Sequence, residues 1–152
     1  MSRVITFSTR FPAYHPRAGE PTYFVDKLIK SFRGLGYAIH DIDHLAIGLP
    51  KRHTIRAGNR WKAGDKFSPR VWSGKPYRSS QVTLADDVEI RKVWVFAITG
   101  FEIFIDGRKM NEMINEISSN DGFSDIWNLL SWFKYPTDFS GQIICWDDTV
   151  NY

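Results

Sequence analysis

Lys51-Arg52-His53-Thr54-Ile55-Arg56, followed by Trp61-Lys62-Ala63-Gly64-Asp65-Lys66-Phe67, is the stretch on which the reading of fold and chemistry turns. If Thr54 to Arg56 is extended, the strand period of two brings the Thr54 and Arg56 side chains out on one face. Lys51, three residues earlier and just after Pro50, then folds back from the loop toward Thr54. A lysine beside cations such as Arg52 and Arg56, or partly buried, gives up its proton more easily, as a general base must. A hydroxyl next to it is a candidate nucleophile. The same residues also read as a basic, solvated strand entry with no catalysis, and this stretch alone leaves both open.

Outward from this stretch the charge is uneven. Lys51 to Arg78 holds nine basic residues against one acid, a net +8, while Glu102 to the end holds three basic residues against nine acids, a net −6. A basic segment of this strength attracts phosphates. Side by side, the two segments either neutralise one another or meet at a cleft, one supplying base and anion-binding groups, the other the acid.

The flanks read as strands and helices in one domain, residues 1–152. Arg3 to Phe7 alternates as a short strand, and a turn-rich loop runs from Pro12 to Pro21. Thr22 is placed to cap a helix with the apolar face Phe24, Val25, Leu28, Ile29 and Phe32, stopped by Gly34 and Gly36. Residues 37–50 read mostly as loop. Strands follow over Lys66 to Ser73, Gln81 to Thr99 (two, or one bent, broken near Asp86-Asp87) and Phe101 to Ile105, the last ended by the turn pair Asp106-Gly107. Met110, Met113, Ile114 and Ile117 mark a short helix; Ser124 is placed to cap another carrying Ile126, Leu129, Leu130 and Phe133; Phe139 to Trp146 closes as a strand. Short strands with clustered helices indicate an α+β fold, a small mixed or antiparallel barrel or sandwich decorated by about three helices.

Composition fits this. The chain has 152 residues, 43% hydrophobic and 15% aromatic, enough at this length to bury roughly 68–70% of its unfolded surface without staples. One Cys forms no internal disulfide and no all-Cys metal site, so the cytoplasm is the expected compartment. No run approaches the ~20 apolar residues of a membrane span, and MSRVITFSTRFP lacks the apolar run of a signal peptide.

The pattern Lys51-x-x-Thr54-Ile55-Arg56, a short spacer, and Gly64-Asp65 leading into a strand resembles the signature of the ASCH domain family. The likeness extends loosely to the helix at Phe24 to Phe32, to Asn120-Asp121-Gly122-Phe123-Ser124 and to the closing strand Gly141 to Trp146. It implies a PUA-like β-barrel that binds RNA or modified nucleosides. Some members resemble amidohydrolases acting on acylated cytidine, and others are credited with RNA cleavage. By position, the resemblance makes Lys51 the base, Thr54 the nucleophile or its hydrogen-bonding partner, Asp121 the carboxylate and Arg56 the group that orients base or carboxylate. Asp121 stands where the amidohydrolase branch prefers the longer Glu.

A binding module is the competing expectation. Trp61, Trp72 and Tyr77 interleave with Arg52, Arg60, Lys62, Arg70, Lys75 and Arg78, and aromatics among cations offer a stacking plane with phosphate contacts. For each Trp the alternative is core packing, and Trp127, Trp132 and Trp146 read as core or core edge. His40-Asp41-Ile42-Asp43-His44 has metal-ligand residue types but no evident distant third ligand, so neither a metal nor another cofactor is expected. Cys145, in an apolar strand, reads as a core residue, and a protein-interaction role for the acidic third has no motif behind it.

Overall fold

The alternation in Arg3–Phe7 forms β1, whose Ile5 and Phe7 point inward. The computed structural model describes residues 3–40 and 48–152. Helix α1 (Phe24–Gly34) presents Leu28, Ile29 and Phe32 fully buried, each stabilising the fold by roughly 1.5–3 kcal/mol. Tyr23, at left-handed φ 59°, takes the cap position expected of Thr22; the Thr22 hydroxyl still serves the helix end, accepting the Phe24 N–H at 3.2 Å while donating to the Ser8 carbonyl.

Nine strands form two sheets among the described residues. In the first, β3 (Lys66–Trp72) pairs in parallel with β1 and antiparallel with β4 (Gln81–Thr83) and the two-residue β5 (Val88–Glu89). The second is antiparallel throughout, in the order β2 (His53–Ala57), β9 (Phe139–Cys145), β6 (Lys92–Thr99), β7 (Glu102–Ile105) and β8 (Arg108–Lys109). The expected break near Asp86-Asp87 thus yields three strands, because the chain leaves one sheet after Glu89 and enters the other at Lys92. Asp106 and Gly107, both at positive φ, make the two-residue β7–β8 turn.

The architecture is α+β, with three α-helices among the described residues, including α2 (Ile114–Asn120) and α3 (Ile126–Trp132), plus one 3-10 turn. It is not a closed barrel, which corrects the sequence-based expectation. Edge strands β1 and β2 share no backbone ladder; one Arg56 guanidinium N–H, donated to the Thr6 carbonyl at 2.9 Å, spans them instead. Strand β9 explains how two sheets share one molecule. Its Ile144, with Trp146 just beyond, packs into a core with α1 and the first sheet, while Ile143 and Cys145 pack into a second core with α2 and α3. The end of β9 therefore carries buried apolar side chains on both faces, as a strand lying between two cores does.

A second cap also differs. Asp125, not Ser124, caps α3, its carboxylate accepting the Asn128 N–H at 2.9 Å; the Ser124 hydroxyl accepts from the Asn128 amide. Trp127 is 64% exposed rather than core, since the α3 residues in the core are Leu129 and Leu130. Among the described residues no helix is long and apolar enough to cross a membrane.

Candidate functional site: a cationic cleft beside a buried lysine

Where β1 and β2 diverge, the molecule opens into a cleft of about 1040 Å³. Its walls come from β1 and the residues after it, from the end of β2, and from the loop between β3 and β4. Four cations line it, Arg10, Arg56, Arg60 and Lys75, with the rings of Trp61, Trp72 and Tyr77, and no carboxylate is among the described lining residues. The loop over Ser73 to Ser80 is held by its own bonds: Ser73 N–H to the Ser80 carbonyl, Gly74 N–H to the Ser79 hydroxyl, and that hydroxyl to the Lys75 carbonyl. It carries Tyr77, 88% exposed, against Trp72 with ring centroids 5.1 Å apart.

Behind the cleft lies a smaller cavity of about 80 Å³, room for several water molecules. Lys51, Thr54, Arg56 and Asp121, the four residues named from the sequence, all line it, together with Phe7, Phe24 and Phe123. Thr54 and Arg56 share a face of β2 as the period of two requires, and the Arg56 Nε–H donates to the Thr54 hydroxyl at 3.2 Å. Lys51 is only 1% exposed. Its ammonium donates to the Asp121 carbonyl, lies 3.7 Å from the Asp121 carboxylate and sits over the Phe24 ring at 4.4 Å. Gly122, at φ 91°, permits this approach, because a Cβ there would meet the Lys51 stem and the Phe24 ring at 3.2 Å.

Burial dominates the electrostatics. It lowers the Lys51 ammonium to about 8 against the pull of Asp121, with Arg56 and Lys27 repelling in the same direction as burial. It lowers Arg56 to about 10, again against Asp121. Arg56 accordingly remains a cation at neutral pH, whereas Lys51 is poised close to titration.

His53 is the site residue that sequence reasoning missed. Opposite parity to Thr54 turns it to the other face of β2, where it is fully buried. Its Nδ1–H donates to the Asp121 carboxylate at 2.8 Å, and since a carboxylate only accepts, Nε2 is left to accept the Tyr152 hydroxyl proton at 2.6 Å. Asn120 donates in turn to the Tyr152 oxygen at 3.0 Å. Burial lowers the His53 pKa, with the Asp121 hydrogen bond and charge opposing, so the ring is held neutral. The carboxylate expected to serve substrate is thus already engaged by an imidazole. The one available signal was the parity of His53 beside Thr54; Tyr152, 99 residues away, left none.

Of the residues expected to bind nucleic acid, Arg60, Trp61, Trp72, Lys75 and Tyr77 line the cleft, whereas Arg52, Lys62, Arg70 and Arg78 do not. Arg52 pairs with Asp147 at 3.2 Å, and Arg70 bonds Ser68 and Gln81. Trp61 is 4% exposed, pinned by Gln142 through bonds to both its backbone N–H and its carbonyl, and so forms a cleft wall rather than a free stacking plane. The basic and acidic segments meet at Lys51–Asp121, Arg52–Asp147 and His53–Asp121, while the basic residues lining the cleft face no acid there.

Among the described residues no three His, Cys, Asp or Glu side chains are grouped to hold a metal. His40 pairs with Asp86, and Asp41, Asp43 and His44 of the candidate cluster lie outside the described residues. Cys145 is buried, and burial pushes its thiol up to about 12, the behaviour of a core residue. Comparison with models of known protein families, with characterised proteins and with solved structures gives no match to this chain.

Proposed function

We propose that the chain is an ASCH-type, PUA-like domain that recognises single-stranded RNA or a modified nucleoside in the cleft between β1 and β2. One observation carries this reading: four cations and the stacked rings of Trp72 and Tyr77, with Trp61 in the wall, around about 1040 Å³, and no described carboxylate among the lining residues. Cations hold phosphates and rings stack bases, the combination that unpaired nucleotides require. The volume stands at the upper end of the ~300–1000 Å³ typical of small-molecule sites, which suits a short strand or a whole nucleotide. The test is titration with short single-stranded RNA, read by tryptophan fluorescence. Three phosphates held by Arg10, Arg60 and Lys75 correspond to a log–log salt slope of about −2, or roughly 18-fold weaker binding at ~200 mM than at ~50 mM salt. No binding at low salt overturns the proposal.

Hydrolysis is a second reading, favoured by the Lys51 pKa near 8, at which roughly a tenth of molecules carry the neutral amine at pH 7. In this reading Lys51 takes a proton from Thr54 or a water, and the resulting oxygen attacks an acyl carbon. Arg56 N–H groups hold the oxyanion, and the Lys51 ammonium returns the proton to the leaving amine as the C–N bond breaks. Asp121, bonded to His53, stays beside Lys51 as its counter-charge. Where Thr54 is the nucleophile, a water activated by Lys51 then releases the acyl group as a carboxylic acid. The small cavity accommodates the acyl group while the nucleoside occupies the cleft. An RNA phosphodiester is the alternative substrate. Deacylation of N4-acetylcytidine lost in Lys51→Ala supports the assignment; an unchanged rate removes Lys51 from it.

A further inference from the structure

Arg56 is the charged side chain common to both spaces, lining the cleft and the small cavity alike. Its guanidinium has five N–H donors, and its two protein hydrogen bonds go to neutral acceptors, the Thr54 hydroxyl and the Thr6 carbonyl. It forms no ion pair with a described carboxylate, and Asp121, across the cavity, is engaged by His53. A mostly buried cation is ordinarily paired, because its desolvation is otherwise uncompensated. Arg60 increases the imbalance: it lines the same cleft and repels Arg56, adding to the lowering that burial causes. Two arginines lining one space with no described carboxylate in that lining describe a seat awaiting an oxoanion, and the planar fork of Arg matches phosphate oxygens in pairs.

We propose that Arg56 and Arg60 form a phosphate seat in the cleft, so that the ligand is a phosphate-bearing nucleotide or strand rather than a free nucleoside. This rests on the nucleotide-recognition reading above and narrows it. The phosphate comes from either a mononucleotide monoester or a strand diester, which share the chemistry the seat reads.

The test titrates the full chain with cytidine, cytidine 5′-monophosphate and the dinucleotide cytidylyl-cytidine, followed by tryptophan fluorescence at low salt. Both phosphate-bearing ligands are expected to bind about 10- to 100-fold tighter than cytidine, in line with charge-assisted paired hydrogen bonds. The tighter of the two identifies monoester or diester as the source. Arg60 is exposed, so Arg60→Gln leaves the fold intact; within that variant the preference for phosphate is expected to fall below about 3-fold. Cytidine binding as tightly as its phosphates overturns the seat and leaves nucleoside recognition standing. A full phosphate preference persisting in Arg60→Gln also overturns it. If neither these ligands nor short RNA bind, the recognition reading falls with it.

Discussion

Replacing Lys51 with Met removes the buried ammonium while keeping most of its apolar stem, and the effect to follow is the pH dependence of stability. The folded-state pKa of Lys51 is about 8 against 10.5 for the unfolded chain. Between these values the unfolded state binds more protons than the folded one, so stability rises with pH. Below about 8 both states are protonated and the fold carries the full cost of a buried cation; above 10.5 both are neutral and the cost is gone. From pH 7.5 to 10.5 the gain from this group is about 3 kcal/mol. Cys145, raised to about 12, works the other way over the same range, so the informative quantity is the difference between native and Lys51→Met proteins, in which Cys145 cancels. Urea unfolding of both at pH 7.5, 9 and 10.5 measures it. Relative to the variant, the native protein is expected to gain about 3 kcal/mol across the series, with little effect of salt because the charge is buried. A difference that stays flat refutes the buried, pKa-depressed lysine and the base role built on it.

Other predictions concern the frame around the site. Gly141→Ala drives a Cβ into the Arg56 carbonyl oxygen, a backbone atom of the neighbouring strand, and is expected to cost several kcal/mol or abolish folding in thermal unfolding. Asp125→Ala is expected to destabilise by about 1 kcal/mol through loss of the α3 cap, and Ser124→Ala by less, a ranking that urea unfolding reads directly. Tyr152→Phe leaves His53 Nε2 without its donor and is expected to cost about 1–3 kcal/mol, accompanied by a change in the imidazole ¹⁵N shifts.

Local periodicity marked the elements well. The alternation of Arg3–Phe7, the apolar face of α1 and the Asp106-Gly107 turn lie where the residues place them, because each is decided within a few positions. The pairing of distant strands is not local. Nothing near Arg3–Phe7 signals a parallel partner at Phe67–Val71, and nothing near Thr54 signals that β2 ends its sheet without meeting β1. The open edge between them, which makes the cleft, was therefore invisible, and a closed barrel was the natural expectation.

The candidate site divides in the same way. Thr54 and Arg56 on one face followed from strand parity, and Lys51 and Asp121 line the same cavity. His53 escaped notice within a run of cations, and its role depends on Asp121 and Tyr152, which arrive from 68 and 99 residues away. The basic segment was legible as charge, but which cations face the cleft was not. Arg70 alternates like its neighbours and yet is held by Ser68 and Gln81, whereas Arg10, in a turn-rich loop, reaches the cleft.

Nucleotide binding in the cleft between β1 and β2 is read out by the indole N–H resonances during titration with a short single-stranded RNA. Trp61 and Trp72 line the cleft, while Trp127 projects from α3 and does not line it. Saturable shifts at Trp61 and Trp72 with Trp127 unmoved are the predicted result. Shifts confined to Trp127, or none at any of the three at low salt, contradict the account.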